Sequence, residues 1–343
     1  MADLEHEEIV VRTGPRSGLP VIVAVHSTRL GQAVGGCRMW RYPHWRDGLD
    51  DALRLSAGMT LKCAVAGVAN GGGKTVVAVP EGLALDPATR AGALRDVGDL
   101  VESLGGRYAT GPDAGTSPED MVVVGERTRK VFCTPRQHGG SGDSAPATAT
   151  GVVAALRAVC GVIAGSPDLH GRRLAIVGLG SVGAHLTRLL SAAGASLLVS
   201  DIDPGKRALA DEFGADWAEP GDALTAPSDV LIPAALGGVL TSELVPRLRC
   251  AAIAGPANNQ LADPSVAGLL HRRGILWAPD YVVGAGGVIY ALAVELQQEG
   301  PDKALARVRG IEGTLGQLLD AAQRDGHEPA RAALDLARQR LVG

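Results

Sequence analysis

This chain of 343 residues has no paired cysteines, no basic leader, no long apolar run and no excess of positive charge. Its five cysteines, Cys37, Cys63, Cys133, Cys160 and Cys250, are odd in number and scattered, with no CxxC spacing. That argues against a disulfide framework or a zinc site and fits reduced thiols inside a cell. The eight histidines are equally dispersed, so no metal is expected. The N-terminus, MADLEHEE, is acidic and carries no basic n-region of a signal peptide. No apolar run approaches the roughly 18 residues that cross a bilayer. The net charge of −4 offers no general affinity for nucleic acid or an anionic membrane. A cytoplasmic protein acting on small molecules is the expectation.

Aromatic residues are only 3% of the chain, whereas glycine is abundant at 47 residues and falls in clusters beside apolar runs. Such clusters mark tight turns and close backbone approaches. With 46% hydrophobic residues the chain can build ample core, and its length suits two domains. The first part carries short β-rich runs at 19–26 and 75–79, with a helix-like stretch at about 49–66 between them. A Gly/Ser/Pro-rich loop at 138–146 precedes another helical stretch at 148–163. Strands then alternate with helices: strand 173–177, helix 182–193, strand 196–200, helix 205–213, strand 229–232. That alternation predicts parallel strands joined by right-handed crossovers. The expected architecture is α/β with two domains and a cleft between them. Residues 1–136 would form a substrate-binding and dimerisation domain, and residues 137–311 a doubly wound Rossmann domain. C-terminal helices from about 312 to 343 could pack back on either.

The strand at 174–177 runs directly into Gly178-Leu179-Gly180-Ser181-Val182-Gly183, which opens a helix. GxGxxG alone is weak, but strand and helix context strengthens it. Gly178 permits the tight turn, Gly180 lets backbone approach a pyrophosphate, and Gly183 lets helix and strand pack closely. The helix N-terminus, beginning at Ser181 and Val182, faces the phosphates with its positive end. Asp201, followed by Ile202, ends the next strand about 20 residues on, where a ribose-binding acid belongs. A carboxylate there accepts from ribose hydroxyls and repels a 2′-phosphate, which favours NAD over NADP.

Two lysines have unusual surroundings. Lys62 ends an otherwise apolar helix. Lys74 closes Asn70-Gly71-Gly72-Gly73-Lys74, whose glycines would expose backbone and let a ligand come close. A buried or cation-neighboured lysine can serve as a base. The run Gly73-Lys74-Thr75 is not a P-loop, because Val68 replaces the required glycine and a strand follows instead of a helix. Asp113 sits in the loop Thr110–Thr116 and by itself reads as a turn residue.

In combination these segments closely resemble the Glu/Leu/Phe/Val dehydrogenase family, nearest its leucine, valine and phenylalanine branch. The matching blocks are LGQAVGGCRMW (30–40), MTLKCAVAGVANGGGK (59–74), GGRYATGPDAGTSPEDM (105–121), GLGSVG (178–183), PAALGG (233–238), GPANNQL (255–261) and APDYVVGAGGVIY (278–290). They span roughly residues 20–340. The resemblance implies NAD-dependent, reversible oxidative deamination of an L-amino acid to a 2-oxo acid and ammonia. It implies that Lys62 grips the substrate carboxylate, Lys74 is the general base and Asp113 shuttles protons. Gly35 and Gly36 would line the carboxylate region, and Asn258 would lie near nicotinamide ribose and substrate. Thr148, Ala234 and Ala235 would line the cofactor. The side-chain pocket would include Val34, Gly111, Pro112, Val288 and Ala291, small and apolar, without a group for a second carboxylate. An aromatic or long or branched aliphatic side chain is implied. A homo-oligomer, dimer or octamer, is also implied.

The chain departs from the family pattern at three places. Gly284 replaces an asparagine, Cys37 a threonine and Ala234 a cysteine. Gly284 removes an amide and, with Ala291, would enlarge the cavity. It leaves open two alternatives, a dinucleotide-binding sensor without turnover and an enzyme acting on a different amine or imine.

Overall fold

The computed structural model describes residues 5–235 and 237–342. Leu236, within the block 233–238, and the first four residues of the acidic start lie outside them. The chain divides into two compact units. One comprises residues 1–143, 291–299 and 337–343, and the other residues 144–290 and 300–336. The boundary expected after residue 136 therefore falls later, after Asp143. The sequence pattern did not anticipate that 291–299 return to the first unit. Most of the C-terminal helical stretch, to Leu336, belongs to the second.

In the first unit β1 (Glu8–Thr13), β2 (Pro20–Ser27), β3 (Ala33–Tyr42), β4 (Gly71–Pro80) and β5 (Tyr108–Pro112) form one sheet in the order β1-β2-β4-β3-β5. β2 is antiparallel to β1 and β4, whereas β3 runs parallel to β4 and β5. Helices α1 (Trp45–Ala66) and α2 (Pro87–Ser103) make the crossovers, and α3 (Pro118–Gly125) follows β5. Both sheet faces are covered, so β2 reads as a near-continuous apolar run. Val21, Val23 and Val25 join the core that contains Leu94, Val97, Met121 and Val124, whereas Ile22 and Ala24 face Ala52 of α1.

The α1 helix starts four residues before the expected 49, because His44 and Asp47 form a reciprocal capping box there. It ends at Gly67 in the left-handed conformation. Gly48, Ala52, Ser56, Thr60 and Ala64, four residues apart, are all buried and form a flat ridge of small side chains. The strand after Asn70 begins at Gly71 rather than residue 75. A Cβ on Gly71 would lie 1.8 Å from the Ser27 carbonyl oxygen, on Gly72 2.1 Å from the Thr60 nitrogen, and on Gly73 2.6 Å from the Tyr108 ring. The glycine triplet thus exists for close packing of strand against helix and strand. It does not open the backbone to a ligand.

In the second unit β6 (Arg173–Val177), β7 (Ser196–Ser200), β8 (Asp216–Trp217), β9 (Ser228–Pro233), β10 (Cys250–Ile253) and β11 (Leu276–Trp277) form an all-parallel sheet in the order β11-β10-β9-β6-β7-β8. That is the doubly wound Rossmann order, with its topological switch between β6 and β9. Helix α4 (Ala145–Ala164) precedes β6, and α5 (Ser181–Ala192) follows it. The α4 helix corrects one sequence expectation. Its 20 residues, of mean hydropathy 1.8, are long and apolar enough to cross a membrane. Half of it is buried in the protein, against α5 and helices Pro301–Arg309 and Ile311–Asp325. Its apolarity is explained as core.

Candidate active site

The first unit carries a chain of paired charges, largely shielded from solvent, drawn from the middle of β3 and β4, the loop after β5 and α1. Lys74 lies mid-β4, and only 6% of its side chain is exposed. Its Nζ is 2.8 Å from Asp113 Oδ2. Arg38 of β3 donates from Nε to the same oxygen at 2.9 Å and from Nη1 to Asp51 Oδ2 of α1 at 2.8 Å. Asp51 also accepts from the Tyr42 hydroxyl at 2.7 Å and from Arg54 Nη2 at 2.6 Å. The register places Thr75 beside Cys37 on one side of β3 and Pro112 beside Cys37 on the other. Parallel pairing therefore brings Arg38, Lys74 and Asp113 together from positions 36 and 39 residues apart.

The Asp113 loop is held by its own bonds. Asp113 N donates to Thr116 Oγ1, which donates to the Cys37 carbonyl at 2.7 Å. Gly115 adopts φ +81, and a Cβ there would meet the Met39 carbonyl oxygen at 1.9 Å, so only glycine fits this turn. Burial acts to raise the Asp113 pKa, but the charges of Lys74 and Arg38 and their hydrogen bonds outweigh it and hold the carboxyl well below its usual range. Burial pushes the Cys37 thiol up to about 12. It is a neutral apolar filler behind the cluster.

Gly36 leaves room for the pair. A Cβ there would lie 2.6 Å from Asp113 Cβ and 3.2 Å from Lys74 Nζ. A Cβ on Gly35 would overlap the Gly73 carbonyl oxygen at 1.8 Å. Lys62 lies half-buried near the end of α1. Val34 is fully buried in β3. Gly111 does not open a cavity, because the Phe132 ring occupies its side-chain position, 2.5 Å from where a Cβ would stand. Sequence reasoning missed Phe132, Arg38 and Asp51. No spacing signals them, since β-sheet register and the path of α1 bring them in. Ala291 is buried in the first unit.

The second unit carries the glycine turn. Gly178, at φ +111, packs against Ala234 and Ala235, and a Cβ on it would lie 2.7 Å from Ala235 N. A Cβ on Gly183 would overlap the Gly178 carbonyl oxygen at 2.0 Å. Gly180 meets nothing within 4 Å. Two of the glycines thus serve packing, and the third borders open space at the N-terminus of α5, where Ser181 is exposed and Val182 half-buried. Asp201, just past β7, accepts from Leu179 N at 2.6 Å through Oδ2 and from Asp203 N at 2.9 Å through Oδ1. Ile202 beside it is 89% exposed, an apolar surface next to a fixed carboxylate. This donor and acceptor set fits a dinucleotide, with phosphates at Gly180 and a ribose at Asp201.

Other expected residues also lie in the second unit. Thr148 is in the first turn of α4, its hydroxyl donating to the Ser144 carbonyl at 2.9 Å. Asn258 is exposed in the loop after β10, and Val288 is half-buried. Gly284 does not widen a space at its own Cβ position, which would lie 3.0 Å from the Asp280 carbonyl oxygen and 3.3 Å from that of Pro256. Among the described residues no group of three His, Cys, Asp or Glu side chains could hold a metal.

Residues 6–130 match the family described as Glu/Leu/Phe/Val dehydrogenase, dimerisation domain, and residues 199–305 match Glutamate/Leucine/Phenylalanine/Valine dehydrogenase. The chain is 39% identical to leucine dehydrogenase of Bacillus cereus over 342 residues, covering 98% of this chain and 91% of the relative. It is 40% identical to phenylalanine dehydrogenase of Lysinibacillus sphaericus, over 93% of this chain and 84% of the relative. Among solved structures, L-tryptophan dehydrogenase from Nostoc punctiforme superposes with a TM-score of 0.82 at 35% identity, covering 98% of this chain and 96% of that one.

Proposed function

Because the chain belongs to the Glu/Leu/Phe/Val dehydrogenase family, oxidoreductases acting on the CH–NH2 group of amino acids, we propose that it oxidatively deaminates an apolar L-amino acid with NAD. Amino acid, NAD+ and water become 2-oxo acid, ammonium, NADH and a proton. The observation that carries this reading is the Lys74–Asp113 pair at 2.8 Å, packed against the backbone of Gly36, where a Cβ would crowd both residues. When bound, nicotinamide supplies the acceptor for the hydride from the substrate Cα.

The protein's own groups do the rest. Lys62 Nζ pairs with the substrate carboxylate and fixes its orientation. Once the Cα–N bond is an iminium, Lys74 Nζ takes a proton from the attacking water. Asp113 takes and returns protons at the substrate nitrogen as the carbinolamine collapses and ammonia leaves. Gly178, Gly180 and Gly183 would hold the pyrophosphate against the α5 N-terminus, and Asp201 the adenine ribose. Its carboxylate beside a 2′-phosphate is unfavourable, which selects NAD over NADP. Thr148, Ala234, Ala235 and Asn258 would border the nicotinamide end. Val34, Pro112, Ala291 and Val288, the side chains the resemblance assigns to substrate recognition, are all apolar and include no cation for a second carboxylate. This favours branched or long aliphatic and aromatic substrates over glutamate. A homo-oligomer fits the dimerisation domain that the first unit matches.

The test is NADH formation across an amino-acid panel with NAD and NADP, using Lys74→Ala as control. Turnover that survives this substitution rejects the assignment of the base. NAD binding by calorimetry with no turnover on any amino acid would instead support a sensor that has lost catalysis.

A further inference from the structure

Two cations converge on one oxygen of Asp113, and they are not equivalent. Lys74 Nζ and Arg38 Nε both reach Oδ2, at 2.8 and 2.9 Å. A lysine ammonium can lose its proton during a catalytic cycle, whereas a guanidinium cannot. Each time Lys74 is neutral, Asp113 loses half of its electrostatic support in a largely buried position, where an unpaired carboxylate is costly. Arg38 keeps its charge throughout. Its guanidinium is itself fixed, with Nη1 on Asp51, and Asp51 is anchored by Tyr42 and Arg54. The planar fork spans two carboxylates on two different elements, which the single ammonium of a lysine would not do.

We propose that Arg38 is a positioning residue that holds the Asp113 carboxylate in register during the part of the cycle in which Lys74 is uncharged. The two bonds on Oδ2 leave the other carboxylate oxygen, Oδ1, to neither cation, and it is the oxygen that meets the substrate nitrogen. Asp51, Tyr42 and Arg54 are the anchor that stops Arg38 from following Asp113. The inference rests on the reading of Lys74 as the base.

The charged and titratable groups around Asp113 are Lys74 on β4, Arg38 and Cys37 on β3 and Tyr108 on β5, with Asp51 and Arg54 behind on α1 and Tyr42 at the end of β3. Burial keeps the Cys37 and Tyr108 groups neutral. Removing Arg38 removes one of the two cations that depress the Asp113 pKa, so that pKa rises toward the ordinary carboxylate value.

The experiment compares full-length wild type, Arg38→Gln, Arg38→Lys and Asp51→Asn. The Asp113 carboxyl carbon is followed by NMR against pH, its signal assigned by loss in Asp113→Asn. Steady-state kinetics with L-leucine, L-phenylalanine and NAD run in parallel. In Arg38→Gln the carboxyl titrates at higher pH than in wild type. Its kcat falls about 100-fold, while KM for the amino acid changes by less than about threefold. Arg38→Lys recovers part of the loss, and Asp51→Asn, which frees the guanidinium from its anchor but keeps its charge, lowers kcat by less than Arg38→Gln. Should Arg38→Gln fail to fold, Asp51→Asn and Arg38→Lys carry the same comparison. An Asp113 titration that does not move, or a rise in KM with unchanged kcat, overturns the proposal. A wild type that oxidises no amino acid of the panel overturns the dehydrogenase reading instead, whereas an unmoved Asp113 titration in an active enzyme overturns the role of Arg38 alone.

Discussion

The two units build their sites in opposite ways. The glycine turn of the second unit is assembled within one stretch of chain, from Gly178 to Asp201, and most of what it offers a ligand is backbone. The charge cluster of the first unit is assembled from Arg38, Asp51, Lys74 and Asp113, and what it offers is side chains held by strand register. A turn of this kind tolerates changes in its exposed side chains and fails when a glycine is filled. A cluster of this kind is weakened when one ion is lost, because the charges it paired with then keep only part of their compensation in a largely buried place.

Substitutions in each region sharpen that contrast. Lys74→Ala has the largest expected effect: kcat falls by about 1,000-fold, while NAD binding measured by calorimetry is unchanged because the turn is untouched. Gly183→Ala puts a Cβ 2.0 Å from the Gly178 carbonyl oxygen, so the second unit is destabilised by about 2–3 kcal/mol. A lowered denaturant midpoint checks it. An unchanged midpoint would mean that helix and strand can separate freely here. Gly36→Ala puts a Cβ 2.6 Å from Asp113 Cβ and 3.2 Å from Lys74 Nζ, so both must shift, and kcat is expected to fall about 10- to 100-fold.

Gly180→Ala meets no protein atom. Stability is therefore expected to hold, while NAD affinity drops about tenfold, or about 1.4 kcal/mol, because the methyl group takes the space a phosphate needs. Equal NAD affinity in Gly180→Ala would break the comparison, since it would show that the open face of the turn is not where the cofactor sits.

The smallest effect concerns acid. Asp113 has a lower pKa folded than unfolded. The stability it contributes is complete above the unfolded carboxylate value of about 3.9 and is lost as pH falls from there toward the folded value. Asp113→Asn is thus expected to flatten the decline in stability between about pH 5 and pH 3, read by denaturant titration at each pH. A decline as steep as that of wild type would assign the acid sensitivity to other carboxylates, with Asp51 and Asp229 the next candidates.

How much the sequence revealed follows the same division. Strands Arg173–Val177 and Ser196–Ser200, the glycine turn and Asp201 were legible because the chemistry is local: apolar run, glycines, helix and acid all fall within about one βαβ unit. Lys74 and Asp113 drew attention through family resemblance, and their own neighbourhoods did not say that they meet. The meaning of Gly71, Gly72 and Gly73 was misread, because a glycine run looks the same whether it faces a ligand or the ridge of a helix. The space at Gly111 was misread likewise, since Phe132 fills it from outside β5.

The sequence by itself determined the α/β class, the strand–glycine-turn–helix unit at 173–192 and the presence of residue types suited to the chemistry, because these depend on patterns a few residues long. Only the tertiary structure decided that Arg38 and Asp51 stand behind Asp113. Parallel pairing of β3 with β4 and β5, and the path of α1 over the sheet, bring together residues that no local spacing relates.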